Sequence, residues 1–382
     1  MKIRKSILTT VLLISSFAVY PQKQMSSRFS TDINKDKIKT ILKSVADWQV
    51  NTPLVHDLAD WTNAALYVGM VEWAKASGDN SYFEWLKGIA EKTSWSCKPP
   101  ESQLTNYFAD DYCVGQMYIE LSRKYKNKQM LEPVKSHLNQ ILKVPATGSL
   151  EFEGTDTYRS IQRWSWCDAL FMGPTVWAKM ANVTNDKRYL DFMYQEYKAT
   201  ADYLFDKDEF LFYRDSRYFT SKEANGAKVF WGRGNGWVFA GLPIILRELP
   251  AKYEHKDYFI KIYKEMAAKI LSLQSPDGFW HASLLDPASY PNPEMSATAF
   301  FVYGFAWGIN NGYLDREKYL PAVVKGWKSM VTSVWPDGKV GFIQPVGADP
   351  KSVTREMTEV YGVGGFLMTG TEIIKLIDKG IL

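Results

Sequence analysis

A motif that recurs roughly every 60 residues constrains the fold of this chain more than any other feature. In its clearest copies, a loop containing an aspartate leads into a tyrosine and an amphipathic helix. The tyrosines of three copies are Tyr189, Tyr258 and Tyr319, which lie 69 and 61 residues apart. A similar copy precedes Tyr82, and a degenerate one covers residues 125–130. A period of this length, filled by apolar residues three and four apart, predicts stacked pairs of helices.

Two Pro-Asp-Gly turns, at residues 276–278 and 336–338, repeat with the same period, and each follows a long helical segment. Five or six helical pairs over residues 30–380 fit a closed toroid better than an open solenoid. The chain is therefore predicted to be all-α and to form an (α/α)6 barrel. The segments with helical periodicity are residues 36–50, 62–76, 82–93, 112–125, 130–142, 189–204, 237–249, 258–274, 297–310 and 319–334.

The N-terminus has the pattern of a secretory signal peptide. Lys2, Arg4 and Lys5 precede an apolar stretch at residues 7–18, which is too short to span a bilayer. We predict a signal peptide at residues 1–22, with cleavage near residues 20–24, and export to the periplasm or the medium. No Pro/Gly/Ser-rich linker divides the rest, so residues 23–382 are predicted to be one domain. No later stretch is apolar enough to predict a membrane span.

Charge and metal-ligand spacing argue against several classes of partner. The formal net charge is +4, but the predicted signal carries three positive charges and no acids, which leaves +1 on the mature chain. This balance gives no support to a nucleic-acid partner. The three cysteines and four histidines show no metal-ligand spacing, so we expect neither a metal nor a cofactor. Cys113 and Cys167 lie in apolar segments and are predicted to be buried free thiols.

Asp168 is the only acid in the apolar, aromatic run at residues 164–172, which also contains Trp166. Burial disfavours the charged form of a carboxyl and raises its pKa, which suits a proton donor near neutral pH. The neighbouring aromatic rings suit a sugar ring. An alternative is that Asp168 caps a helix over the following residues, because aspartate is a favoured N-cap. The local sequence leaves both interpretations open.

A glycine-rich segment at residues 230–237 places Arg233 and Asn235 between Trp231 and Trp237. Arginine presents a planar fork that binds a carboxylate through two hydrogen bonds. The alternative is a tight turn between helices in which Arg233 forms a structural ion pair. Because two tryptophans flank the segment, we favour a binding role.

Three other acidic segments are candidates for the site. Asp110 and Asp111 precede an apolar helix, where capping explains Asp110 well but leaves a pocket role open for Asp111. Asp60 resembles a helix cap that is followed by an aromatic residue, Trp61. Arg214 stands beside an aspartate, as in a surface ion pair or the polar wall of a pocket.

Taken together, residues 166–174 and 231–237 resemble glycoside hydrolase family 105, the unsaturated glycuronyl hydrolases, which are related to family 88. Residues 60–63, 306–312 and 361–366 also match. The resemblance covers most of the mature chain in order, and it implies an (α/α)6 barrel.

The resemblance also implies a reaction and a set of roles. Enzymes of this family remove a 4,5-unsaturated uronic acid from the non-reducing end of oligosaccharides left by polysaccharide lyases, by hydrating the C4=C5 bond. By motif position, Asp168 is the expected acid/base and Asp111 the second pocket carboxyl. The substrate-binding residues expected from the resemblance and from the neighbouring sequence are Trp61, Trp166, Arg214, Trp231, Arg233, Asn235 and Trp237.

The chain departs from the pectin-type members of the family at two positions. Residues 154–159 contain no histidine, and Arg214 stands where a histidine is common. The added positive charge favours a more anionic neighbouring sugar, such as the sulfated rhamnose of ulvan. Unsaturated rhamnogalacturonan fragments are the close alternative.

Proteins of other classes are alternatives to this hydrolase. A non-catalytic sugar-binding protein, an inverting glycosidase that uses Asp111 and Asp168, an epimerase and a lyase could share the fold. No feature of the sequence indicates an oligomeric state.

Overall fold

The computed structural model describes residues 28–98, 107–144, 147–154 and 162–382. The predicted signal peptide at residues 1–22 lies outside the described residues, as does most of the segment at 154–159. The described helices are α1 (Lys35–Asn51), α2 (Trp61–Ser77), α3 (Asn80–Lys92), α4 (Ala109–Tyr112), α5 (Gly115–Tyr125), α6 (Glu132–Lys143), α7 (Ala169–Met172), α8 (Pro174–Thr184), α9 (Lys187–Leu204), α10 (Gly232–Glu248), α11 (Lys256–Ser272), α12 (Met295–Asn310), α13 (Arg316–Thr332) and α14 (Val360–Asp378). A short hairpin pairs β1 (Phe205–Asp206) with β2 (Leu211–Phe212).

Six of these helices form a closed inner ring. In ring order they are α2, α5, α8, α10, α12 and α14; each packs against the next, and α14 packs back against α2. Helices α1, α3, α9, α11 and α13 pack against the outside of this ring. The (α/α)6 barrel expected from the sequence is confirmed.

Apolar patterning separates inner helices from outer helices. Every residue of α12 is buried, as is nearly every residue of α10 and α14. A helix that is apolar on all sides must be surrounded by protein. The outer helices α3, α9 and α11 instead bury one stripe each.

The repeated motif marks where the outer helices begin. Asp79, Asp186 and Asp315 are the N-caps of α3, α9 and α13, and each side chain accepts a hydrogen bond from a backbone N–H in the first turn. The Pro-Asp-Gly turns follow α11 and α13, where Gly278 and Gly338 have φ of +93° and +104°. These positive angles explain the glycines, because L-residues rarely adopt them.

The structure differs from the sequence-based helix assignment in four places. Helices α8 and α14 were not expected, and α10 begins at Gly232, inside the segment interpreted as a loop. The predicted helix at 112–125 is broken, since α4 ends at Tyr112 and α5 begins at Gly115. Glycine lets α10 start there because a Cβ at position 232 would lie 2.5 Å from the carbonyl oxygen of His281.

Helix α14 also corrects the prediction that no later stretch could span a membrane. It is the one described helix that is long and apolar enough to do so by composition. Its apolar residues are buried inside the barrel, and at Gly364 its backbone packs directly against Gly69 of α2. Its composition is therefore that of an inner core helix.

A network of charged residues fills the end of the barrel at which the inner helices terminate. It lines a cavity of about 750 Å³, and Lys179 lies beneath it, 1% exposed. The Lys179 ammonium forms an ion pair with Glu120 and lies 3.8 Å from Glu248. Glu120 also binds Lys75 and Arg123, each at 2.9 Å. Cations suit this end because the helix dipoles point their negative ends toward it.

Candidate active site

A cavity of about 400 Å³ opens at the other end of the barrel, where the inner helices begin. Its walls come from the segments that lead into these helices and from the loop at residues 346–348. The lining residues are Asp60, Trp61, Lys98, Phe108, Asp110, Asp111, Trp166, Asp168, Met172, Arg214, Val346, Gly347 and Ala348.

The exposure of the lining residues distinguishes a floor from a mouth. Asp111, Trp166, Asp168, Met172 and Arg214 are buried and form the floor. Lys98, Val346 and Gly347 are exposed and form the mouth. A ligand that enters this cavity would therefore place its terminal group on the floor, with the remainder at the mouth.

Asp168 lies on this floor with 8% of its surface exposed. Its backbone is helical and its side chain forms no capping hydrogen bond, so capping does not explain the residue. The Cys167 thiol lies 3.5 Å from Oδ1 and donates to it. Burial raises the pKa of Asp168 above its ordinary value, although Arg214 and Arg233 oppose the shift. Asp168 is therefore suited to hold and donate a proton.

Arg214 is the cation nearest to Asp168. Its Nε lies 3.7 Å from Asp168 Oδ1, and its Nη1 donates to Asp215 Oδ2 at 2.7 Å. The guanidinium also lies 4.7 Å from the ring centre of Phe152. The backbone N–H of Cys167 donates to the carbonyl of Arg214 at 2.8 Å, which fixes the two segments together. Arg214 thus belongs to the wall of a pocket and not to a surface ion pair.

Asp110 and Asp111 both line the cavity. The N-cap of α4 is Phe108, so neither aspartate caps this helix. Burial raises the pKa of Asp110 well above its ordinary value, and the nearby Asp168 and Asp111 carboxyls raise it further. Within the described residues, Asp110 Oδ1 is buried with no hydrogen-bond partner. Asp110 is therefore a second carboxyl beside Asp168 whose neutral form is favoured, although the sequence reasoning had explained it only as a cap.

The glycine-rich motif lies behind the cavity wall instead of on it. Arg233 is fully buried and its fork donates to the backbone carbonyls of Gln344 and Pro345. Trp231 donates from Nε1 to Gln344 Oε1 at 3.0 Å. This arrangement anchors the loop that continues into the cavity mouth at residues 346–348. Arg233 was expected to bind a substrate carboxylate, but its fork already donates to two carbonyl groups and it does not line the cavity.

Asn235 and Trp237 are also buried behind the wall. The Asn235 side chain accepts from the N–H of Phe212 and donates to its carbonyl, at 2.8 and 3.0 Å, and so holds β2 against α10. Trp237 packs edge-on against Trp61, with ring centres 6.1 Å apart, and it contacts Tyr361. Of the seven residues expected to bind substrate, Trp61, Trp166 and Arg214 line the cavity, whereas Trp231, Arg233, Asn235 and Trp237 support it.

Besides Asp110, two charged cavity residues had no place among the predicted site residues. Asp60 caps α2 by accepting from the N–H of Thr62 at 3.0 Å, as its position indicated, and it also faces the cavity. Lys98 follows a buried cysteine and donates from its backbone N–H to the carbonyl of Asp111 at 2.9 Å. Residues 60–63 match the family, but the capping role of Asp60 concealed its place in the cavity, and the position of Lys98 carries no motif.

The three cysteines and His281 are buried. Cys97, Cys113 and Cys167 are buried free thiols, which confirms the prediction for the last two. His281 Nδ1 contacts the carbonyls of Tyr290 and Asn292, each at 3.0 Å. No cluster of three metal-ligating side chains occurs in the part of the chain that the structure describes.

Comparison with known proteins identifies the family. Residues 22–377 match Glycosyl Hydrolase Family 88. The chain belongs to this family. A protein named unsaturated 3S-rhamnoglycuronyl hydrolase from Alteromonas sp. (strain LOR) is 36% identical and covers 93% of each chain. A protein of the same name from Formosa agariphila is also 36% identical, over 97% of this chain and 98% of its own.

Solved structures agree with this assignment. A family 88 hydrolase from Bacteroides vulgatus superposes with a TM-score of 0.80 at 30% identity, over 89% of this chain and 99% of its own. A structure described as a polysaccharide lyase has a TM-score of 0.80 at 31% identity, over 90% and 98%. A possible family 105 member from Salmonella enterica, 19% identical with a TM-score of 0.73 over 90% and 95%, shares the fold. The sequence resemblance is confirmed, with family 88 as the family matched, and the protein is a glycoside hydrolase.

Proposed function

We propose that this family 88 hydrolase removes the 4,5-unsaturated uronic acid from the non-reducing end of lyase-generated oligosaccharides. The favoured substrate is an ulvan fragment in which unsaturated glucuronate is linked to rhamnose 3-sulfate. The observation that carries the proposal is Asp168, a buried carboxyl with a raised pKa on the floor of the cavity. The names of the two relatives at 36% identity support the substrate class.

The chemistry requires one group that first donates and then accepts a proton. Neutral Asp168 protonates C4 of the enol ether, and the positive charge develops at C5 and on the ring oxygen. Water attacks C5, and its proton passes to the Asp168 carboxylate, which regenerates the acid. The hemiketal at C5 then opens to a ketone, and the hemiacetal left at C1 releases the neighbouring sugar. This sequence differs from displacement at an anomeric carbon by two carboxylates.

Arg214 and Asp110 have distinct parts in this scheme. Once Asp168 has lost its proton, its carboxylate lies 3.7 Å from Arg214 Nε, which stabilises the negative charge. The pKa of Asp110 lies well above its ordinary value, so its neutral form is favoured, and in that form it can hydrogen-bond to the substrate or to the attacking water without repelling the uronate charge. Both residues therefore support the proton transfer by Asp168.

The test measures ultraviolet absorbance of the C4=C5 enol ether during incubation with lyase digests of ulvan, rhamnogalacturonan and glycosaminoglycan. A hydration removes the absorbance, a lyase acting on intact polymer creates it, and an ordinary glycosidase or a binding protein leaves it unchanged. We expect the fastest loss with ulvan digests. Faster loss with rhamnogalacturonan digests would instead support the pectic alternative.

Asp168→Asn is the variant that ties this activity to the site. The amide keeps the shape but cannot transfer the proton, so turnover should fall by about 10²–10⁴-fold. The melting temperature serves as the control for folding. Turnover close to that of the wild type would reject Asp168 as the acid and make Asp110 the first candidate.

We also propose that the protein is exported, and the basic and apolar pattern of residues 1–22 supports this. Mass spectrometry of the protein from its own host should give a mature N-terminus near residues 20–24. An intact Met1 on active cytosolic protein would overturn the proposal.

A further inference from the structure

We propose that Lys98 binds the anionic substituent, a sulfate, on the sugar next to the terminal uronate, and so sets the preference for sulfated substrates. This inference rests on the proposed function, and it moves to Lys98 the role that the sequence had suggested for Arg214. It follows from which cations at the cavity are already engaged and from where Lys98 lies.

Two basic side chains line the cavity within the described residues, Arg214 and Lys98. Arg214 is 8% exposed, and its guanidinium contacts Asp215, Asp168 and the face of Phe152. A group held in this way, on the floor and against the acid/base, is placed to act on the terminal residue. It is not placed to reach the next sugar.

Arg233 is not available to a substrate either. It is fully buried, and its two terminal nitrogens donate to backbone carbonyls of the loop that leads to the mouth. Its positive charge lowers the pKa of Asp168 through space, without an opening toward the cavity. A sulfate outside the floor therefore has no arginine to bind among the described residues that line the cavity.

Lys98, unlike the two arginines, can be reached by a group at the cavity mouth. It is exposed at the cavity mouth, and its ammonium forms no ion pair with the described residues. Its backbone N–H donates to the carbonyl of Asp111, which fixes its position beside the floor. A terminal uronate on the floor leaves the next sugar toward the exposed side of the cavity, where Lys98 lies. The flexible lysine stem can then place its charge against a sulfate.

The experiment compares kcat/KM for unsaturated glucuronyl-rhamnose 3-sulfate with that for the same disaccharide after desulfation. Loss of one charge-assisted contact at an exposed position corresponds to about a tenfold change in affinity. We expect Lys98→Ala to lower the ratio of kcat/KM for the sulfated disaccharide to kcat/KM for the desulfated one by about tenfold. Most of this change should come from a higher KM for the sulfated disaccharide. Lys98→Arg should restore most of the ratio, because it restores the charge.

Lys264→Ala is the matched control, since it removes one exposed lysine from outer helix α11, away from the cavity. It should leave the ratio unchanged, which separates a local contact from the overall charge of the protein. A ratio unchanged in Lys98→Ala, or an equal loss on both disaccharides, would overturn the proposal. Failure of the wild type to hydrate either disaccharide would instead reject the proposed function.

Discussion

Replacement of Glu120 by glutamine tests the charged network at the end of the barrel where the inner helices terminate. The variant keeps the side-chain shape but removes the negative charge that pairs with Lys179, which is 1% exposed. Breaking a buried ion pair costs about 3–5 kcal/mol, because it leaves an uncompensated charge in the interior. Glu248 remains 3.8 Å from Lys179, so we expect the lower value, about 3 kcal/mol.

This loss converts to a measurable change in melting temperature. A domain of about 350 residues unfolds with an entropy of about 0.7 kcal/mol/K, so 3 kcal/mol corresponds to about 4 °C. Differential scanning calorimetry at pH 7 measures it. The pKa of Glu120 lies below its ordinary value of 4.5 because Lys179, Lys75 and Arg123 favour its charged form over the opposing effect of burial. Its contribution to stability is therefore complete above pH 4.5 and declines as the pH falls further, so the difference between variant and wild type should shrink in acid.

Two further variants make the result decisive. In the Glu120→Gln background, Lys179→Met replaces the unpaired ammonium with an apolar chain of similar length and should recover at least half of the loss. Asp202→Asn removes an exposed partner of Lys198 and should change the melting temperature by less than about 1 °C. The reasoning is refuted if Glu120→Gln behaves like Asp202→Asn, or if the double variant is no more stable than the single one.

Two further predictions concern the active site. Asp110→Asn should lower kcat by about 10²-fold, and its effect should combine less than additively with that of Asp168→Asn. Asp111→Asn should lower kcat by a smaller factor. If steady-state kinetics show the larger loss for Asp111→Asn, Asp111 is the second catalytic carboxyl instead of Asp110. Arg233→Lys cannot serve both carbonyls of the loop at Gln344 and Pro345, so it should raise KM for sulfated and unsulfated substrates alike and also lower the melting temperature. A raised KM with an unchanged melting temperature would instead indicate direct contact between Arg233 and the substrate.

The sequence predicted the outer helices well because their signals are local. Asp79, Asp186 and Asp315 cap helices whose single apolar stripe gives a clear period. Inner helix α14 gave no such signal, since a helix buried on all sides has no contrast between its faces. The closed ring could be inferred from the repeat, but two of its members could not.

In the site, too, the sequence predicted what depends on neighbours along the chain and missed what depends on contacts in space. Asp168 could be found from its neighbours along the chain, because the aromatic run predicted its burial. The partners of Arg233 could not, since its fork binds carbonyls more than 100 residues away in sequence. Asp110 was explained as a cap because its sequence position does not reveal that Asp168 lies beside it in space.

The closed floor of the cavity has a consequence for how the enzyme would work on a mixture of chains. Behind the floor, Trp237 packs against Phe171, Phe300 and Tyr361, and this cavity shares no lining residue with the one at the other end, so the two are separate among the described residues. Substrate must enter and both products must leave through the same opening, and the enzyme cannot thread along a polymer. Each encounter then yields one uronate, and the overall rate of breakdown follows the number of chain ends that a lyase supplies, whatever the mass of polymer present.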